Sequence, residues 1–204
     1  MYGALLANAA SMDDPIDALL EEHALQRGVF GALDFETTHL EQGPSQYPFW
    51  DDAVLFLREF VTERHRRKEE EVLFLLLVQR GLRDRGGPIG IVRAERADAN
   101  DLIQALGAVV DERRPDAIGP IWRECTALLR GHLQREESFL FPPARQLLEP
   151  VDLSRLQRGC ARIDREADRL HPRSELVEIA SRIRSRWRVR EPTEDKIRPH
   201  GNPQ

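Results

Sequence analysis

Apolar residues recur along this chain at the spacing of amphipathic α-helices. In the predicted helices they return every three or four positions, which places them along one face of a helix. No segment sustains the alternation of apolar and polar residues that is typical of a half-buried β-strand. The pattern therefore predicts an all-α protein with four long helices. The first three cover about 13–41, 50–79 and 88–111, and the fourth starts near Asp116 or Pro120 and reaches Pro142 or a turn beyond.

Short polar breaks separate these helices and contain the glycines and prolines that end them. The breaks read QGPSQYP (42–48), GLRDRGGP (81–88) and ERRPDAIGP (112–120). Helices joined by short connections pack as antiparallel neighbours. We therefore predict an antiparallel up-down four-helix bundle over residues 13–148.

After Pro150 the amphipathic segments become shorter than the four long helices. Two further amphipathic segments, 152–170 and 174–189, are split by the pair His171-Pro172 and predict a C-terminal helical extension over 149–189. Residues 190–204 have no apolar periodicity, which predicts a disordered tail. Residues 1–12 are expected to form a loose leader.

Composition narrows the function classes. The formal net charge of −5 gives no basic footprint, so we expect no nucleic-acid partner. The apolar stretch at the N-terminus is too short for a signal peptide or a membrane span, so we expect a cytoplasmic protein with no membrane partner. The two cysteines, Cys125 and Cys160, lack the spacing of a zinc site or a disulfide framework.

Two stretches of the chain are nearly the same, HRRKEEEVLF (65–74) and HLQREESFLF (132–141). Residues four apart share one face of a helix, so each stretch presents a histidine and a glutamate together, and such a pair can bind a metal ion. The two copies give His65 with Glu69 and His132 with Glu136. Each copy ends in a phenylalanine, Phe74 or Phe141, that we expect to wall the site and exclude water.

The first and third helices should carry matching residues if the chain repeats a helix pair. The first contains EEH (21–23) and the third contains AER (94–96). Aligning Glu22 with Glu95 places Arg96 opposite His23. Arginine stays protonated and cannot bind a metal, so one ligand position of the second half is lost.

These motifs resemble those of the hemerythrin-like (HHE, cation-binding) family. The matching pieces occur in order at EEH (21–23), HRRKEEEVLF (65–74), GPIGIVRAER (87–96) and HLQREESFLFPPA (132–144). The resemblance implies a four-helix bundle that holds two irons and that carries, stores or senses dioxygen, nitric oxide or iron. It implies the metal ligands His23, His65, Glu69, His132 and Glu136, with Arg96 where the family has a histidine.

Three states of the site remain open at this point. One iron could bind to His23, His65, Glu69 and Glu136. Two could bind if Glu95, Asp98 or water replaced the lost ligand. A metal-free bundle could instead use Arg96 as an internal counter-ion, forked against Glu69 or Glu136. In the last case the chain would be a helical regulatory or interaction module.

Two further expectations concern chemistry and partners. A diiron oxidase or peroxidase is the minor alternative, because ferritin-like oxidases use Glu-x-x-His rather than His-x-x-x-Glu. A homodimer or a protein partner could form through the C-terminal helices. Glu70, Glu71 and Glu137 are expected to form a solvated acidic edge beside the site.

Overall fold

The computed structural model describes residues 14–38 and 47–190, so the predicted leader and nearly all of the predicted tail lie outside the described residues. Those residues contain helices and turns and no strand. We label α1 Pro15–Thr38, α3 Pro88–Asp111, α4 Pro115–Phe139, α5 Phe141–Leu147, α6 Pro150–Ala167 and α7 Arg173–Arg190. We label as α2 the continuous run Tyr47–Leu55, Phe56–Arg66, Glu69–Leu73 and Phe74–Gln79, together with the two residues that join its middle segments.

The long helices run antiparallel, as predicted. Trp122, near the start of α4, donates a 2.8 Å hydrogen bond to Asp34 near the end of α1. At the other end of α1, Asp17 pairs with Arg145, which follows α4. The described residues thus confirm an all-α four-helix bundle with additional C-terminal helices.

Helix α4 ends earlier than the sequence suggests. A single helix was expected to reach about residue 142, but α4 stops at Phe139 and the short α5 begins at Phe141. Pro142 and Pro143 account for the break, because proline rings clash with carbonyl groups four residues earlier in a continuous helix. Leu140, between the two helices, has φ −116°.

Apolar side chains form two separate clusters along the bundle. One contains Val29, Phe60, Ile103 and Leu129, and the other contains Leu19, Phe74, Val92 and Phe141. On each long helix, polar residues lie between the positions that contribute to the two clusters: His23, His65 with Glu69, Arg96, and Glu136. The bundle is therefore apolar at both ends with a polar layer between them.

The middle of α2 is π-helical through Phe56–Arg66 and Glu69–Leu73, which the sequence did not predict. π-Helical turns are rare and frequently occur at functional sites. Arg64, His65, Arg66, Lys68 and Glu69 are all buried here. This part of α2 is therefore covered on several sides at once.

The C-terminal helices cover one of those sides. Leu176, Ile179 and Ile183 of α7 belong to the first apolar cluster, and Leu156 of α6 belongs to the second. The predicted extension thus packs on the bundle itself. Within the described ranges, none of the helices combines the length and the hydropathy that a transmembrane span requires.

A Gly159→Ala substitution tests this packing. A Cβ at position 159 of α6 would lie 2.6 Å from Cγ1 of Val72 on α2, and a β-branched side chain has little freedom to move away. We expect the free energy of unfolding to fall by about 1–3 kcal/mol, as measured by chemical denaturation.

Gly131→Ala is the matched control. There the new Cβ would meet only the end of the flexible Arg135 side chain, at 3.1 Å. Alanine should then stabilise the helix by about 0.5–1 kcal/mol. Equal changes in the two variants would contradict close packing of α6 on α2.

Candidate metal centre

Four buried side chains from three helices meet in the polar layer. His23 comes from α1, His65 and Glu69 from α2, and Glu136 from α4, and each has a ligand atom within 4.8 Å of the others. The Nε2 atoms of His23 and His65 are 3.0 Å apart. Glu136 Oε2 lies 3.4 Å from His23 Nε2, and Glu69 Oε1 lies 3.5 Å from His65 Nε2.

The two carboxylate oxygens that face the histidines lack hydrogen bonds. Within the described residues, neither Glu69 Oε1 nor Glu136 Oε2 accepts one, although both atoms are buried. A buried carboxylate oxygen without a donor is costly unless a cation lies beside it. Two imidazole nitrogens and two carboxylate oxygens form a donor set that suits a divalent transition metal with open positions. The donor set therefore fits a metal cation.

Arg96 occupies the opposite side of the same two carboxylates. Its Nη2 donates to Glu136 Oε1 at 3.0 Å and also to Glu69 Oε2, while its Nε donates to His132 Nε2 at 3.1 Å. Each glutamate thus has one oxygen facing the guanidinium and one facing the histidine pair. His132, predicted as a metal ligand, lies on the arginine side and outside the group of four.

Arg96 is also held by its surroundings. Nη1 donates to Glu70 Oε2 at 3.0 Å and to the carbonyl of Arg66 at 3.3 Å, and the guanidinium lies 4.8 Å from the ring centroid of Phe74. The residue is only 7% exposed. This is the arrangement expected of an internal counter-ion.

The two carboxylates considered as substitutes for the lost ligand do not join the group. Glu95 pairs with Arg135 at 2.7 Å and lies 3.9 Å from His132 Nδ1. Asp98 is exposed on the outer face of α3. The structure therefore gives no support to a second metal site completed by either carboxylate.

Phe141 and Phe74 wall the polar layer, as the repeated motif predicts. The ring of Phe141 stacks on His23 with 5.2 Å between centroids. Both phenylalanines are buried and belong to the same apolar cluster. That cluster separates this end of the site from water.

Each histidine of the group turns its other nitrogen toward a second carboxylate. His65 Nδ1 lies 2.9 Å from Glu22 Oε2, and His23 Nδ1 lies 2.8 Å from Glu137 Oε1. Such outer carboxylates fix the orientation of a metal-binding histidine and raise its basicity. The arrangement is therefore organised beyond the four inner side chains.

Sequence reasoning did not identify these outer partners. Glu22 was used only for alignment. The prediction that Glu137 is solvated is wrong, because His23 and Arg27 hold it and its side chain is 27% exposed. The only signal in the sequence was the presence of two adjacent glutamates at 21–22 and at 136–137. Each outer glutamate, however, contacts a histidine on another helix.

Glu70 and Glu71 are half-exposed edge residues held in ion pairs.

The electrostatics favour a cation among these groups. Burial alone would lower the pKa of His23, but Glu136 and Glu69 outweigh it and raise that pKa to about 10. Burial would raise the pKa of Glu136, yet His132, His23 and Arg96 hold it well below its usual range. Glu136 is therefore ionised, and a proton on His23 competes with a metal for this space.

Comparison with known proteins agrees with this geometry. A family model described as the hemerythrin HHE cation binding domain matches residues 14–142, which include both repeated motifs and end before α6. Neither the comparison with curated proteins nor that with solved structures gave a match. The chain belongs to the hemerythrin HHE cation binding domain family.

Proposed function

We propose that this protein binds one non-heme iron ion through His23, His65, Glu69 and Glu136, and that it serves in the response to dioxygen, nitric oxide or redox change. The observation that carries the proposal is the pair of buried oxygens, Glu69 Oε1 and Glu136 Oε2, that accept no hydrogen bond within the described residues. They face the two imidazole Nε2 atoms, and a metal cation held among the four side chains would compensate their buried charge.

Arg96 supports a single ion. Its guanidinium contacts Glu69 Oε2 and Glu136 Oε1, the oxygens that a second metal would need. Arginine supplies a fixed positive charge and no lone pair. Its position also disfavours an oxidase or peroxidase that depends on two metals.

Iron bound to this group would supply open positions for a small diatomic ligand and a change of oxidation state. The side chains have separate tasks around it. Glu22 and Glu137 orient the two imidazoles, and Phe141 covers His23 against water.

A metal-free interaction module is the second candidate, and one observation favours it. Arg96 already neutralises part of the charge of Glu69 and Glu136 without a metal. An apolar groove of about 380 Å³, lined by Pro88, Ile91 and Phe139, would offer such a module a surface for a protein partner.

Metal analysis distinguishes the two candidates. Protein produced without a histidine tag in iron-supplemented medium should carry about one iron per chain, as measured by elemental analysis. Addition of nitric oxide to the anaerobic iron-loaded protein should then change its visible spectrum. Protein that neither carries iron nor takes it up on anaerobic titration would establish the metal-free candidate, and two irons per chain would contradict the single site.

A further inference from the structure

A line of charged groups, buried at Glu22 and Lys68, connects the metal centre to the C-terminal helices. Glu22 contacts His65 through Oε2, and its Oε1 accepts a 2.7 Å hydrogen bond from Lys68 Nζ. The same Nζ lies 2.8 Å from Asp164 Oδ1 on α6. Lys68 is buried, so these carboxylates rather than water compensate its charge. Two residues, Lys68 and Glu22, thus connect Asp164 to the proposed metal ligand His65.

Two arginines fix this line in place. Arg64, fully buried on α2, donates to Asp164 Oδ1 at 2.8 Å, to Asp168 Oδ1 at 2.7 Å and to the carbonyl of His171 at 2.9 Å. Arg173, at the start of α7, lies 3.4 Å from Glu22 Oε1. Its backbone N–H donates to Asp168. The turn between α6 and α7 is therefore bound to α2 beside the site.

We propose that α6 and α7 influence metal binding at the centre through their contacts with Lys68 and Glu22, although they lie beyond the residues that the family model matches. Asp164 is a positioning residue that acts on His65 through Lys68 and Glu22. Arg173 acts on Glu22 as well, but it weakens the hydrogen-bond acceptor that Asp164 strengthens. The consequence for metal affinity rests on the proposed function, whereas the effect on the His65 hydrogen bond exists without a metal.

The direction of each effect follows from the position of Lys68, which contacts both Glu22 and Asp164. Its ammonium group lies between Glu22 and Asp164, so Asp164 takes up part of the positive charge that Glu22 would otherwise face alone. Glu22 then remains a strong acceptor for the Nδ1–H of His65, which makes Nε2 a better metal ligand. Arg173 places a second positive charge near Glu22 Oε1 and weakens that acceptor.

Two substitutions should therefore change metal affinity in opposite directions. Asp164→Asn should weaken metal binding by about 3–10-fold, less than the loss expected for a direct outer partner. Arg173→Met should tighten it by about twofold, a small effect because this arginine is half exposed. Anaerobic titration with Co²⁺ or Fe²⁺ measures both changes.

Each substitution has a control nearby in the chain, Asp168 directly after α6 and Arg182 on α7. Asp168→Asn also removes a partner of Arg64 but contacts neither Lys68 nor Glu22 in the described structure. Arg182→Met removes an α7 ion pair with Asp52, far from the site along the helix. A merely structural role of the extension would make each variant behave like its control.

A second readout does not depend on a metal. In metal-free protein labelled with ¹⁵N-histidine, the ring signals of His65 are assigned by comparison with a His65→Gln variant. Asp164→Asn should shift the Nδ1 signal of His65, whereas Asp168→Asn should leave it unchanged.

The two readouts separate the two proposals. If the wild-type protein binds no metal but Asp164→Asn still shifts the His65 signal, the proposed function is refuted and the coupling is supported. An unchanged His65 signal in Asp164→Asn would overturn the coupling, whether or not metal binds. Opposite changes in affinity together with the shift would support both proposals.

Discussion

A Glu69→Gln variant is expected to lose metal binding while the bundle still folds. Glu69 is fully buried and gives one oxygen to the group of four and the other to Arg96. The neutral amide removes a negative charge and a strong ligand from the centre, so metal affinity should fall by about 100-fold or more. Titration with Fe²⁺ or Co²⁺ measures the loss, and circular dichroism checks the helices.

Glu71→Gln provides the matched control. Glu71 lies two residues further along α2 and forms ion pairs with Arg67 and Arg162 at the protein surface. Its substitution should leave metal affinity unchanged, because it contacts no member of the group. A Glu69→Gln protein that keeps wild-type affinity would show that the metal binds elsewhere.

Helical periodicity predicted the inner part of the site. The spacing of His65 from Glu69 and of His132 from Glu136 places each pair on one helix face. The alignment of EEH with AER then predicted Arg96 opposite His23, and Arg96 contacts both motif glutamates. These relations depend on spacing within a helix and on the repeat of a helix pair, which are visible in one sequence.

The outer part of the site could not be predicted in this way. Glu22 is the neighbour of His23 but contacts His65, and Glu137 is the neighbour of Glu136 but contacts His23. Each contact joins two helices, so it depends on how the helices are rotated and shifted against one another. Hydrophobic periodicity gives the buried face of a helix but not that register.

The stretch HRRKEE (65–70) shows the same difficulty. Its composition is typical of a solvated face, yet most of it is buried, because its side chains meet different neighbours. His65 and Glu69 face the centre, Arg66 bonds Asn100 on α3, and Lys68 bonds Asp164 on α6. The π-helical backbone and the packing of α6 and α7 on α2 produce this arrangement. The sequence predicted the two C-terminal helices, but it predicted neither the π-helical turns nor the place where those helices pack.

An Arg96→His variant is expected to bind a second metal ion. The introduced imidazole would stand opposite His23. Together with His132, Glu69 Oε2 and Glu136 Oε1, it would offer two imidazoles and two carboxylate oxygens, the same donor set that surrounds His23. Those oxygens are already directed to this place by the guanidinium. Elemental analysis and anaerobic Fe²⁺ titration should show uptake rising from about one to about two ions per chain.

An Arg96→Met variant separates the charge of Arg96 from its position. Methionine fills similar space but leaves Glu69 Oε2 and Glu136 Oε1 buried without their cation. Removing one partner of a buried ion pair costs about 3–5 kcal/mol, so the metal-free variant should be less stable than wild type by about that amount. Added metal should restore more of that stability in Arg96→His than in Arg96→Met, because only histidine supplies the missing ligand. Equal metal uptake in the two variants would refute the inference that arginine replaced a ligand, and an unchanged stability of Arg96→Met would refute its role as the internal counter-ion.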